Sequence, residues 1–300
     1  MKRSSITHLL IILFATAIAG AVPFLFLEDL SKNFGPVSEL QTNVAAAINT
    51  AVAQTDKIIH APAPLINNQP STDGSNLTTT GILKWTNTHR QEQGVLPLKL
   101  NVTLNQAATA KLEDMFANQY FEHISPEGLG PDHWVDQSGY EYISIGENLA
   151  LGSYDGDQDL VAAWMNSPGH RENILNQSFQ EIGIAAKKGI YQGAETWLAV
   201  QVFAKPLSSC PQVDQTLHTK IEQNKTQLAS WDEQILELQV TMEQNRPKGR
   251  SNQEEIDYYN SLVKQYNELA KNYNTLTDQT KKLVEQYNAQ VAAFNSCAEQ

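Results

Sequence analysis

QEIGIAAKKGIYQGAETWLAVQVFA, residues Gln180 to Ala204, decides the fold class of this 300-residue chain. Gln180–Ala186 and Thr196–Ala204 are rich in Ile, Val, Trp and Phe with partial alternation, which suits strands that bury one face. Between them KKGIYQG carries two glycines fit for a turn. The pair reads as a β-hairpin that closes an α+β domain near Pro206.

Upstream of the hairpin, helices are expected around Ile82–Gln91, Leu104–Asn118 and Asp159–Met165. Asn87 and Arg90, one helical turn apart, are expected at the domain interior or its rim, where a guanidinium can hold carbonyls or a carboxylate. Before this domain, Pro, Ser, Thr and Asn crowd between Ala61 and Thr80, a composition with little apolar surface to bury, and this stretch reads as a linker. Val37, Leu40, Val44, Ile48 and Ala51 recur at helical spacing on one face of a short stalk helix.

The N-terminus has a different character. Lys2 and Arg3 precede a run without Asp, Glu, Lys or Arg from Ser4 to Leu27, long enough to cross a bilayer with its basic end in the cytoplasm. Residues 1–28 are therefore expected to anchor the chain in the membrane and leave the rest outside. The alternative is secretion after cleavage of a signal peptide, for which Ala17-Ile-Ala19 and Ala19-Gly-Ala21 offer small-residue sites. The net charge of −12 and the lack of any basic segment argue against nucleic-acid binding, because phosphate backbones attract Lys/Arg clusters.

Beyond Pro206 the chain is poor in Gly and Pro and patterned in heptads. Leu217, Ile221, Asn224, Leu228, Trp231, Ile235, Leu238 and Met242 form one a/d seam. Arg246-Pro-Lys-Gly-Arg-Ser251 breaks the helix. A second seam runs Ile256, Tyr259, Val263, Tyr266, Ala270, Tyr273, Thr277, Thr280, Val284, Tyr287, Val291 and Phe294. Two helices joined by a short break should fold back antiparallel as a coiled-coil hairpin, bringing Cys297 toward Cys210 for a disulfide. If the two helix lengths cannot be reconciled, the cysteines pair between chains, and the seam also suits a homo-oligomer.

Several motifs between Asn87 and Ala204 belong together by order and spacing: Asn87-Thr-His-Arg90, Leu96-Pro-Leu98, Tyr120-Phe-Glu-His123-Ile-Ser-Pro126, Gly146-Glu-Asn-Leu-Ala150, Trp164, Ser167-Pro-Gly-His-Arg171 and Glu181-Ile-Gly183. With them the segment resembles the CAP (SCP) superfamily, in the bacterial SCP-like branch that lacks the disulfides of eukaryotic secreted members. The resemblance implies an α-β-α sandwich with a central antiparallel sheet and an open cleft. Together with the readings above, this divides the chain into four segments: anchor 1–28, stalk and linker 29–78, CAP domain 79–206 and helical hairpin 207–300.

In that family the cleft gathers two histidines and two acidic residues. His123, Glu147 and His170 match three of these, and the fourth position, three residues after Trp164, holds Ser167. Two imidazoles can bind Zn²⁺ or another divalent cation, with a carboxylate orienting a ring or acting on bound water. The plainer alternative has His123 opening a turn into Ser125-Pro126 and His170 capping a helix after Pro168-Gly169. His133, beside Trp134, is expected to be exposed or supporting. Ser125 and Ser167 precede prolines and read as turn residues, and Asp155-Gly-Asp-Gln-Asp159 opens a helix and lacks the Glu of an EF-hand loop.

Two functions follow. One is a non-enzymatic envelope module that binds a lipid, glycan or wall component in the cleft. The other is a metal-dependent hydrolase of peptide or cell-wall polymer, with His123 and His170 holding the ion and Glu147 as general base.

Overall fold

The computed structural model describes residues 57–68 and 76–299. The expected membrane helix (1–28) and stalk helix lie outside the described residues. Among the described residues no helix is long and apolar enough to cross a membrane.

The elements in chain order are β1 (Ile58–His60), β2 (Leu65–Asn67), α1 (Thr79–Glu92), β3 (Lys99–Leu100), α2 (Val102–Asn118), α3 (Pro131–Gln137), β4 (Tyr142–Gly152), α4 (Asp157–Asn166), α5 (Pro168–Leu175), β5 (Glu181–Tyr191), β6 (Ala194–Pro206), α6 (Gln215–Gln244) and α7 (Gln253–Ala298). The sheet runs β1-β4-β6-β5-β3, with β2 also on β4. β4, β6 and β5 are antiparallel, while β1, β2 and β3 pair in parallel at the margins. The sheet is therefore mixed, an antiparallel centre with parallel edges.

Alternation along the strands sorts two cores. Ile145, Leu149, Val200 and Val202 face Leu104, Ala108, Leu112 and Met115 of α2 and Val135 of α3. Ala150, Ile182, Ala199 and Phe203 face Ile82 of α1, Leu160 and Trp164 of α4 and Ile174 of α5. The result is a mixed α/β fold with helices on both faces of the sheet, the layering that the family resemblance implies. The expected hairpin is present, with strands longer than read and a turn tightened to Gln192-Gly193, both at positive φ.

Arg90 explains much of how α1 is fixed. Buried, it donates to the carbonyls of Leu96, Ile174, Asn176 and Phe179 at 2.7–3.1 Å. Asn87 exchanges two hydrogen bonds with the backbone of Leu98. Burial lowers the Arg90 pKa to about 10. Both residues are structural, as expected.

The linker reading needs correction. Residues 58–60 and 65–67, inside the stretch assigned to stalk and linker, are strands of the sheet. The polar composition of the wider stretch hid two short strands, Ile58-Ile-His60 and Leu65-Ile-Asn67, which join the sheet through main-chain groups.

The described residues divide into two compact units, one of 57–68, 76–219 and 284–299 and one of Lys220–Leu283. Residues 207–219 and the end of α7 thus belong to the first unit, not to a separate hairpin beginning at 207. There Cys210 and Cys297 form the expected disulfide within one chain, with Cα atoms 5.7 Å apart. Ile143, Cys210 and Phe294 pack together, and Lys205 Nζ donates to the Cys297 carbonyl.

In the second unit the helices run antiparallel, as the pairs Asn224–Thr280, Asp232–Tyr273 and Gln239–Tyr266 show. The seam holds. Ile221, Leu228, Ile235 and Met242 are buried on α6, and Tyr266, Tyr273, Thr277 and Thr280 on α7.

Candidate functional site

β4 is the strand that builds the site. Its outer edge pairs with β1 at Ser144–Gly146 and with β2 at Ala150–Gly152, which leaves Glu147, Asn148 and Leu149 without a ladder partner on that side. Opposite this gap the segment Ala61-Pro62-Ala63-Pro64 has one residue more than the strand it follows. Proline cannot donate to a ladder, so the surplus bulges and Pro62 comes to lie over the gap.

Glu147 shares the orientation of Ile145 and Leu149, toward α2 and α3, and is 1% exposed. His123, in the loop after α2, is 9% exposed and places Nδ1 2.6 Å from Glu147 Oε1. His123 Nε2 meets the Pro62 carbonyl in a short contact. Both ring nitrogens of His123 are thus engaged by oxygen atoms.

His170 comes from α5 on the opposite face and is 1% exposed. Its Nδ1 lies 2.8 Å from Ser167 Oγ. Burial lowers its pKa to about 4, with the charge of His123 adding to the effect and the Leu149 carbonyl opposing it. His170 is therefore neutral, with Ser167 as a hydroxyl partner where the family pattern has a carboxylate. Two buried polar atoms of the cluster, Glu147 Oε2 and His170 Nε2, have no hydrogen-bond partner.

Of the three residues expected to converge, His123 and Glu147 are in contact at the break in the β4 edge, and His170 approaches the same strand from the other face. Sequence reading missed the residues that hold them. Lys111, buried on the apolar face of α2, donates to the carbonyls of Glu122 and His123 at 2.8 and 2.9 Å and to Tyr120 Oη at 3.1 Å. Burial lowers its pKa despite the nearby acids, Glu147 first among them. Asn173 donates to the carbonyls of His60 and Glu147 and to Asn148 Oδ1. Asn148 reaches the His170 carbonyl and Gln201, which donates to Thr86. The one available signal was Lys111 in register with Leu104, Ala107, Ala108 and Met115, a cation on a core face.

The expected pairing of His123 and His170 as ligands to zinc or another divalent ion is not assembled. His123 has both nitrogens engaged, so only His170 Nε2 and Glu147 Oε2 offer free donor atoms. Among the described residues no group of three or more His, Cys, Asp or Glu could hold a metal. A catalytic zinc takes three protein ligands and water, and the donor set as folded falls short of that.

The discounted residues behave as read. Ser125 Oγ accepts from the amides of Glu127 and Leu129 in a turn, His133 is half-buried edge-on to Trp134, and Asp157 and Asp159 sit in the first turn of α4. Ser167 departs from its turn reading: it precedes α5 and binds the His170 ring.

Residues 83–203 match the family described as the cysteine-rich secretory protein family, CAP. That segment, about two fifths of the chain, is a CAP domain. Among its relatives is a protein of Bacillus subtilis (strain 168) called uncharacterized protein YkwD, 34% identical over 166 residues, 54% of this chain and 63% of that one. Another is uncharacterized membrane protein YlbC of the same organism, 30% identical over 37% of this chain and 32% of its own. The chain thus spans less than two thirds of the length of either. A crystal structure of an extracellular protein with an SCP domain from Bacillus anthracis str. Ames is 26% identical, with a TM-score of 0.36, covering 42% of this chain and 39% of that one.

Proposed function

We propose that this chain is an extracytoplasmic protein of the cell envelope, anchored by residues 1–28, whose CAP domain binds a ligand in the His123–Glu147–His170 cleft. The extracytoplasmic placement is supported by the Cys210–Cys297 disulfide, since such bonds persist in oxidising compartments. The reading of the cleft rests on one observation: Glu147 Oε2 and His170 Nε2 are buried without partners. A buried polar atom left unmatched costs on the order of 1–3 kcal/mol, a cost that a ligand hydrogen-bonding to each would recover.

Co-sedimentation of the full chain with purified cell-wall sacculi, and separately with lipid vesicles, tests this. Binding to one of them is expected, reduced roughly tenfold by His170→Ala, the equivalent of about 1.4 kcal/mol. Equal binding by chain and variant, at matched melting temperature, would remove the cleft from the interaction.

The second reading, a metal-dependent hydrolase with Glu147 as general base, draws on the same two free atoms. It requires His123 to give up Pro62 before a third donor exists. Zinc that binds only the folded state must raise the melting temperature, so a zinc titration separates the two readings.

A further inference from the structure

The segment Lys57–Asn68 does not pack against the domain as a core strand does. Ile58, Ile59 and Ile66 are exposed; Leu65, at the margin of the α1/α4 cluster, and His60, edge-on to Phe179, touch the core, and Lys57 pairs with Asp136. Main-chain groups do most of the rest. β1 and β2 add to the β4 edge in parallel. Between them the carbonyl of His60 accepts from Asn173 Nδ2 at 3.2 Å, and that of Pro62 from His123 Nε2. At the end of β2, Asn67 exchanges hydrogen bonds with the backbone of Ser153.

One side chain is read by shape. Pro62 lies on Gly169, so closely that a Cβ at that glycine would come within 2.6 Å of the Pro62 Cβ. Gly169 stands in the first turn of α5 and is not among the glycines at positive φ, so its backbone does not require glycine. The contact with Pro62 does.

Strand addition along an edge, main-chain carbonyls caught by side-chain donors, and a notch for one residue together make up the recognition pattern of a groove that binds extended peptides. We infer that the β4 edge with His123, Asn173 and Gly169 is a peptide-binding groove. Its ligand is an extended peptide added parallel to β4, with proline on Gly169 and an aliphatic residue three positions later, and residues 58–67 are its occupant in cis. This rests on the cleft being a ligand site and names the ligand class. The cis segment lowers the apparent affinity for a second peptide by the fraction of time it stays seated.

The test uses the full chain and a fluorescent synthetic peptide of the sequence Lys57–Asn68, followed by anisotropy. Pro62→Asp with Leu65→Asp unseats the cis segment without touching the groove, and the free peptide should then bind roughly tenfold or more tighter than to the native chain. Adding Gly169→Ala, which suits a helix better than glycine, should abolish that binding at unchanged melting temperature. A folded, opened chain that binds the peptide no better than the native one overturns the inference, as does binding that Gly169→Ala leaves intact.

On the native chain, excess peptide should speed hydrogen exchange at the amides of Ile59, His60 and Ile66 while those of β6 stay unchanged; no acceleration also overturns it. This measurement does not depend on any variant folding. Binding to sacculi or vesicles that His170→Ala reduces, with no peptide binding, sinks the peptide class and spares the cleft. Peptide binding with neither wall nor vesicle binding supports the inference and removes wall and lipid as ligands.

Discussion

The CAP domain and the helical hairpin each bury polar side chains, and they treat them differently. In the hairpin, Asn224 Nδ2 donates to Thr280 Oγ1, which donates in turn to the Leu276 carbonyl. The amide and the hydroxyl are matched locally by neighbours one heptad seam can supply, and Thr277 Oγ1 alone is left over there. In the domain, Glu147 and His170 are comparably buried and more costly to bury, yet each keeps an atom without a partner. A matched polar layer fixes register. The unmatched acid and base, with Ser167 on the His170 ring and Asn173 on the Glu147 carbonyl, are what the proposed ligand reading rests on.

The comparison can be pressed hardest at Arg90, whose four carbonyl partners tie α1 to the loop that follows it, to the last turn of α5 and to the loop after α5. Arg90→Ala strands those carbonyls in the interior and should cost about 4 kcal/mol. The loss should appear in urea unfolding followed by tryptophan fluorescence, four of whose five reporters, Trp85, Trp134, Trp164 and Trp197, lie in the domain. Next in size is the disulfide at the hairpin base. Cys210→Ser with Cys297→Ser opens a loop with a sequence separation of 87 and should cost about 3 to 4 kcal/mol. It should be read as a lower melting temperature that reducing agent reproduces in the native chain and leaves unchanged in the double variant.

The two regions also differ in what the sequence disclosed. The seam, the disulfide and the β5–β6 hairpin were legible because each rests on spacing: heptads, fold-back, alternation. β4 was not, although it is the most buried strand. Buried on both faces it shows no alternation, and the Gly-Glu-Asn at its centre interrupts the apolar run for the sake of the site. α3 and α5 begin at Pro131 and Pro168 in the N1 position, where proline starts a helix; Ser167-Pro168 was read as a turn. Residues 58–67 were not read as strands, since the ladder that seats them on β4 is made of backbone groups.

A pH profile sharpens the contrast between the unmatched and the matched interior. His170 has a folded pKa lowered to about 4 from an ordinary 6.5. Below pH 6.5 the unfolded chain takes up a proton that the folded one refuses, so stability falls as pH drops and the loss is complete near pH 4. The size is roughly 3 kcal/mol at 1.36 kcal/mol per unit. His170→Gln removes the titrating group, so the difference in unfolding free energy between chain and variant should change by that amount from pH 7 to pH 4. A flat difference would mean that His170 is solvated in the folded state.

The smallest effect is expected in the hairpin and has the opposite sign. Asn224→Leu replaces a matched amide by an apolar group in the seam, leaving the Thr280 hydroxyl still bonded to the Leu276 carbonyl. Since no unmet donor is created, stability should rise by about 1 kcal/mol, at the expense of the single register that the amide enforces. Helix melting at 222 nm should shift upward by a few degrees, and sedimentation should show more than one association state where the native chain shows one. If the melting temperature falls instead, the Asn224–Thr280 layer is stabilising in its own right, and the hairpin interior resembles the cleft more closely than its satisfied hydrogen bonds suggest.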